Sequence, residues 1–328
     1  MKNFLITGIT GFAGPHLANL LYQEGHGVHG LIRRTNGMET DILDVVSDEV
    51  YSNIAFHYSD LTNYRVLRSI FEKNTFDGVF HLAAQSHPPS SFADPLGTFN
   101  DNIIGSANLI QVIQDHQPDC KLMFCSTSEV YGNEGMDGRK IHWEDKMFPA
   151  NPYGASKAAT DLYLQERMEN GFVKGFITRA FSHTGPRRGK NFSISSDAYQ
   201  IARMIKGLQD PVLSIGNLNS VRVVMDVRDT VKAYYLAMIH PEVNNHIFNV
   251  CGDIPRKMQF FTDKLIELSG LNDVEQKINE KFWRPHDIHY QHGDSSNLIE
   301  LTGFKEEYNI DKTLEDLLNY WLDKINSW

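Results

Sequence analysis

The stretch Thr7-Gly8-Ile9-Thr10-Gly11-Phe12-Ala13-Gly14 decides the fold. The apolar residues before it, from Phe4, read as a strand, and His16–Gln23 beyond it has helical spacing. A strand, a glycine turn and a helix in direct succession form the loop that cradles a dinucleotide diphosphate. In this reading Gly8 permits the tight turn, Gly11 lets the backbone approach a pyrophosphate, and Gly14 lets the helix lie close to the sheet. The helix N-terminus favours phosphate charge, and Thr10 and Phe12 complete the lining.

Outward from that loop, further candidate strands are Val28–Ile32, Ile54–Tyr58, Gly78–Leu82, Lys121–Ser126 and Gly175–Arg179. Amphipathic stretches such as Tyr64–Lys73 lie between them. This alternation predicts an α/β fold, a Rossmann-type doubly wound parallel sheet with helices on both faces. After about residue 182 the pattern turns irregular and richer in polar loops. Residues 1–180 are therefore expected to form the dinucleotide-binding domain. Residues 181–328 are expected to form mainly a smaller, partly interleaved C-terminal lobe that binds substrate. The helically spaced tail, Leu314, Leu317, Leu318, Trp321, Leu322 and Ile325, reads as core packing.

With 328 residues, 41% hydrophobic and 22% charged, the chain has ordinary globular composition and enough length for a cleft between lobes. Its 31 basic against 41 acidic residues leave a formal charge of −10, which repels a phosphate backbone and argues against nucleic-acid binding. No apolar run approaches the roughly 18–20 residues that span a bilayer, so no membrane partner is expected. The opening Met1-Lys2-Asn3-Phe4-Leu5-Ile6-Thr7-Gly8 reaches glycine too early for a signal-peptide core. Cys120, Cys125 and Cys251 form no CxxC pair, which excludes a zinc ribbon or disulfide framework and fits a reducing cytoplasm.

The second strand ends where an acidic residue would select NAD. Arg33-Arg34 stand there instead and suit a 2′-phosphate, so NADP is expected rather than NAD. Asp60-Leu61, after the third strand, are placed to hold the adenine. Leu82-Ala83-Ala84, after the fourth, are small enough to pass under the pyrophosphate. Ser126-Thr127-Ser128-Glu129 follow the fifth strand at its carboxyl end, where doubly wound sheets place ligands. In Pro152-Tyr153-Gly154-Ala155-Ser156-Lys157, Tyr153 and Lys157 are four positions apart and share one helix face. An ammonium beside a phenol lowers the phenol's pKa and lets Tyr153 act as a base near neutral pH.

Through the glycine loop, His81-Leu82-Ala83-Ala84-Gln85-Ser86, the Thr127 segment, Tyr153 with Lys157, and Arg284-Pro285, the chain resembles the extended short-chain dehydrogenase/reductases of the nucleotide-sugar branch. The resemblance covers essentially the whole chain. Within that branch, Ser126-Thr127-Ser128-Glu129-Val130-Tyr131-Gly132 is similar to the GDP-mannose 4,6-dehydratases. So are Gln85-Ser86-His87, Pro186-Arg187-Arg188-Gly189-Lys190-Asn191-Phe192 and Gly216-Asn217-Leu218. The dTDP-glucose dehydratases carry aspartate where Ser128 stands, and epimerases of the superfamily usually lack an acid at the Glu129 position. Ser182-His183, where the family has asparagine before the histidine, and Val221-Arg222-Val223-Val224-Met225-Asp226 depart from the pattern. The sugar therefore stays open between mannose, another hexose and a heptose.

The resemblance implies a GDP-sugar 4,6-dehydratase. Such an enzyme makes a 4-keto-6-deoxy sugar nucleotide by an internal hydride shift from C4 to C6 with loss of water. It gives Tyr153 the C4 hydroxyl proton, Thr127 the positioning of that oxygen, and Glu129 the C5 proton. The departing C6 hydroxyl takes its proton through Glu129 or via Ser128, and Lys157 and Tyr153 also face the cofactor. Ser86, His87, Ser182, His183 and Asn191 are the implied substrate contacts. Arg187, Arg188, Arg222 and Arg284 are the candidate cations for the diphosphate, with Arg222 and Arg284 preferred because the family places an arginine at similar points. A homodimer or homotetramer is implied, in which the Arg33–Met38 loop could reach a neighbouring subunit's cofactor. His286, His289 and His292 recur every three residues, a spacing foreign to closed metal sites, and the reaction needs no metal, so none is expected. Two alternatives stay open. One is a GDP-4-keto-6-deoxysugar reductase or epimerase, which needs no base at position 129. The other, of a different class, is a non-catalytic NADP-sensing regulator, against which the intact Thr127, Tyr153 and Lys157 set speaks.

Overall fold

The computed structural model describes residues 1–33, 42–282 and 288–326. Its centre is a seven-stranded sheet of β1 (Asn3–Thr7), β2 (Gly27–Ile32), β3 (Ile54–Tyr58), β4 (Gly78–His81), β5 (Lys121–Thr127), β6 (Gly175–Ala180) and β7 (His246–Val250). The strand order is β7-β6-β5-β4-β1-β2-β3, and every neighbouring pair is parallel. The order reverses between β1 and β4. Doubly wound sheets open a crevice at that switch, outside the carboxyl ends of the strands. Thr7 stands opposite Leu31 on one side and His81 on the other, so the strand ends line one edge.

The principal helices are α1 (Ala13–Gln23), α2 (Tyr64–Lys73), α3 (Gly105–His116), α4 (Pro152–Glu169), α5 (Ser193–Ile205), α6 (Val227–Ile239), α7 (Met258–Ser269) and α8 (Ile310–Asn326). α1 and α6 cover one sheet face, where Leu17, Leu21 and Met238 meet Phe4, Phe80 and Phe248. α2, α3 and α4 cover the other, where Leu67, Ile110 and Leu164 meet Leu5, Leu122 and Ile177. Phe4 and Leu5 pointing to opposite cores is the period-two alternation of a strand buried on both sides. α5, α7 and α8 enclose a separate core around Ile201, Phe261, Leu265, Leu314 and Leu317, so the tail spacing is core packing. A three-stranded sheet of Val221–Val223, Pro255–Lys257 and Tyr290–Gln291 accompanies it.

Two differences from the sequence reading concern boundaries. β4 stops at His81 and leaves Leu82 outside. β7 and α6, from the part read as irregular, return to the central sheet. The short run His246-Ile247-Phe248-Asn249-Val250 carries too few apolar residues to stand out before its partner β6 is known. One buried ion pair fixes the helix that bears the site. Arg179 on β6 donates to both carboxylate oxygens of Asp161 on α4, at 2.9 and 3.0 Å, and to the Tyr131 hydroxyl at 3.0 Å.

Candidate active site

Gly8 turns the chain at the end of β1 with φ 73°, and a Cβ there would stand 2.8 Å from the Ala83 backbone nitrogen. Only glycine meets both demands, the left-handed turn and the close pass of the β4 exit. Thr7 Oγ1 accepts from Ala83 N at 3.1 Å and meets His81 Nδ1 at 2.7 Å, while His81 Nε2 meets Ser106 Oγ at 2.8 Å. Burial pushes His81 down to about 3, so the ring stays neutral and serves as a strut between β1, β4 and α3. For Gly14 the expectation needs correction. A Cβ there would meet the Ile9 and Gly8 carbonyl oxygens at 2.5 and 2.6 Å, so the close approach is to the turn's own backbone and not to the sheet.

α1 opens at this turn with no side-chain cap and no acid in its first turn, which leaves its amino end suited to an anion. Lys157 supplies a second test of fit. Its ammonium lies 4.2 Å from the Phe124 ring centroid and makes no hydrogen bond among the described residues. Burial lowers it to about 8. A glycine cradle, an uncapped helix end and an unspent donor suit a dinucleotide with its diphosphate and ribose hydroxyls. Leu82, Ala83 and Ala84 leave β4 beside the cradle and are half-buried. Arg33 directly follows β2, where Nη1 donates to Asp101 at 3.1 Å and Nε stands 4.0 Å from Asp60. Asp60 also accepts from Thr62 N and Oγ1, and the Leu61 carbonyl accepts from Asn108. Arg34 and the rest of its loop to Met38 lie outside the described residues.

Tyr153 and Lys157 are both buried on α4. The helix starts at Asn151, whose Oδ1 accepts from Gly154 N at 2.8 Å, with Pro152 in the first turn. The same side chain donates its Nδ2 to Glu129 Oε2 at 2.7 Å. Asn151 thus ties the half-buried Glu129 carboxylate to the helix that carries Tyr153. The Thr127 hydroxyl stands beside the Tyr153 phenol and lowers its pKa. Burial holds that phenol well above its ordinary range, with Cys125 and Glu129 adding to the rise, against Thr127 and Arg188. The expected lowering by Lys157 is therefore corrected: burial dominates, and the ammonium rests over Phe124. Ser128 Oγ donates to Gln291 Oε1 at 3.3 Å, and Gln291 Nε2 returns a bond to the Ser128 carbonyl at 3.2 Å.

The candidate substrate residues divide. Phe12 stacks on His183 at 5.6 Å. The Arg188 guanidinium lies 4.7 Å from the Phe12 centroid and 3.5 Å from that of Phe192, against which His87 packs edge-on at 5.6 Å. The glycine loop, the β4 exit and residues 181–192 thus converge. Burial lowers Arg188 to about 10 and His183 to about 4. The Ser182 carbonyl accepts from Met225 N at 3.0 Å, while Ser86 and Asn191 are exposed. Arg222 is buried in Val221–Val223, donates to the Ile288 carbonyl at 2.5 Å, and pairs in register with Gln291, the residue that holds Ser128. Arg284 and His286 lie outside the described residues. Among the described residues no three metal-ligating side chains come together; His289 is exposed and His292 buried.

Three residues of this site escape the sequence reading. Asn151 had a local signal, an asparagine directly before a helix-opening proline. Gln291 had none, because its role depends on strand pairing. Asn102 sits in the π-helical turn Asn100–Ile104, donates to the Gln85 carbonyl at 3.0 Å and to Ser156 Oγ at 2.9 Å, and joins the β4 exit to α4. Such turns recur at functional sites.

Compared with known proteins, residues 5–317 match the family model described as GDP-mannose 4,6 dehydratase. A GDP-6-deoxy-D-mannose reductase of Pseudomonas aeruginosa is 29% identical over 99% of this chain and 98% of its own length. GDP-mannose 4,6 dehydratase 2 of Arabidopsis thaliana is 28% identical over 97% of this chain and 86% of its own. Among solved structures, RMD from Pseudomonas aeruginosa complexed with NADPH superposes with a TM-score of 0.82 at 26% identity, over 98% of this chain and 100% of that one.

Proposed function

The chain belongs to the GDP-mannose 4,6-dehydratase family, and from that premise we propose that it is itself a GDP-sugar 4,6-dehydratase that uses NADP. One observation carries this reading. A carboxylate, Glu129, is held by Asn151 at 2.7 Å next to the Thr127–Tyr153 pair, where a reaction with an elimination step needs a base. Tyr153 takes the proton of the C4 hydroxyl while Thr127 holds the same oxygen, and Arg188 offsets part of what burial costs the phenolate. With a ketone at C4 the C5 proton is acidic, and Glu129 removes it. The C6 hydroxyl leaves as water with a proton from Glu129. The nicotinamide, when bound, supplies the redox chemistry by taking up and giving back a hydride. Gly8, Thr10, Gly11, Phe12 and Gly14 would hold its diphosphate and Lys157 its ribose.

NADP is favoured by Arg33 at the end of β2, although Asp101 and Asp60 share that guanidinium. The NADPH complex of a relative adds support. Residues 1–180 act mainly on the cofactor and residues 181–328 mainly on the sugar nucleotide, with β7 and α6 returned to the sheet. A cytoplasmic setting is supported by three free thiols. A homo-oligomer is supported by Leu96, Ile104 and Leu162, exposed at 77%, 50% and 54% on elements that pack on one another. A second reading, a reductase of a 4-keto-6-deoxy sugar nucleotide, is favoured by the full-length likeness to such an enzyme. Purified protein given GDP-mannose without added NADPH separates them. A dehydratase yields 4-keto product over many turnovers, and a reductase yields none and instead consumes NADPH with the 4-keto compound.

A further inference from the structure

Arg187 stands among the residues read as cations for the sugar-nucleotide diphosphate, yet its side chain turns the other way. Its Nη2 donates to the Thr10 carbonyl at 2.9 Å and its Nε to the Gly11 carbonyl at 3.2 Å. Nη1 pairs with Asp44 Oδ2 at 3.1 Å, and the side chain is 11% exposed. The backbone of Arg187 has φ 74°, a left-handed conformation that non-glycine residues rarely hold unless their surroundings fix it. Those surroundings are dense. The adjacent Pro186 carbonyl meets His16 Nε2 at 3.0 Å, and Arg188 and His183 both lie against Phe12. Asp44 in turn accepts from Tyr320 and pairs with Lys324 of α8. Two cations therefore share one carboxylate behind the glycine loop.

We propose that Arg187 is a positioning residue for the dinucleotide diphosphate, gripping the glycine loop through its carbonyls. The proposal rests on the reading of that loop as a nicotinamide-dinucleotide site. A carbonyl bound by a cation polarises its peptide, so the N–H at the far end becomes a stronger donor. For the Thr10–Gly11 peptide that N–H closes the turn onto the Gly8 carbonyl at 2.9 Å. For the Gly11–Phe12 peptide it stands at the uncapped start of α1. Arg187 thus sets both the shape of the turn and the strength with which it draws an anion, without touching the anion itself.

The test measures binding by fluorescence or calorimetric titration of NADPH, of adenosine 2′-monophosphate, which lacks the diphosphate, and of GDP, which probes the sugar-nucleotide side. Arg187→Gly relaxes the backbone and removes the guanidinium. NADPH should bind about 10–100-fold more weakly, the range for loss of charge-assisted hydrogen bonds. Adenosine 2′-monophosphate and GDP should change less than about twofold. Arg187→Lys should recover part of the loss, because it keeps the charge with one donor point. If Arg187→Gly does not fold, the lysine variant decides, with NADPH alone weakened. A drop for GDP as large as for NADPH would assign Arg187 to the substrate instead. An equal drop for adenosine 2′-monophosphate would make it only structural. Unmutated protein that bound neither NADPH nor NADH would overturn the dinucleotide reading, and this inference with it.

Discussion

Burial raises the Tyr153 phenol, Cys125 and Glu129 raise it further, and the Thr127 hydroxyl and the Arg188 charge pull it back. As the proposed base, Tyr153 depends on these neighbours. Tyr153→Phe keeps the ring but removes the base, so turnover should fall by at least about 10²-fold. Sugar-nucleotide affinity, measured by titration, should change far less. Glu129 acts later. Glu129→Gln should still oxidise C4, then stall, so enzyme-bound reduced cofactor absorbance accumulates and solvent deuterium no longer enters C5. Normal turnover by this variant would reduce Glu129 to a helix-start acid. Away from the site, Asp197 on α5 is buried with Thr262 on its carboxyl and is pushed up to about 7. Its folded value exceeds its unfolded one, near 3.8, so its contribution is whole below that pH and is lost as pH rises through 7. Asp197→Asn keeps the Thr262 bond and should melt roughly 5 °C higher at pH 8, with little change at pH 4, by calorimetry. At this scale the spacing of Thr127, Glu129, Tyr153 and Lys157 was legible in the sequence. The direction of the Tyr153 shift was not, because burial belongs to the fold and not to the neighbours in sequence.

α4 shows how one element serves stability and chemistry together. Its first residues are capped by Asn151, which also holds Glu129, and its middle is pinned by the Asp161–Arg179 pair. These two duties of Asn151 separate by substitution. Asn151→Ser retains a capping oxygen and should leave the melting temperature nearly unchanged while lowering turnover through a loose Glu129. Asn151→Ala should lose the cap as well, at about 1 kcal/mol, read by denaturant unfolding. Equal activity in the serine variant and the native protein would remove Asn151 from the reaction. The strands from β1 to β6 were legible within a residue or two, since alternating short apolar runs and amphipathic helices leave few other arrangements. β7 and the three-stranded sheet were not, because they are short and take their meaning from partners far away in sequence.

At the scale of the molecule, exposed Leu96, Ile104 and Leu162 call for cover. Light scattering at micromolar concentration should give a dimer or tetramer, and Leu162→Asp should shift it toward monomer with secondary structure intact by circular dichroism. A monomeric native protein would sink the oligomer proposal. The change of pattern near residue 182 was legible in the sequence, but the crossing threads were not. One of the longest among the described residues joins Asp44 to Tyr320 and Lys324, which follow it by 276 and 280 residues. A ribosome adds about 5–20 residues per second, so roughly 15–55 s separate the emergence of the two ends of this contact. During that interval the residues of the glycine turn have already been made, yet the carboxylate that pairs with Arg187 still lacks its α8 neighbours. The brace behind Arg187 is thereby completed only after synthesis has passed Lys324, long after the turn that it supports has been made.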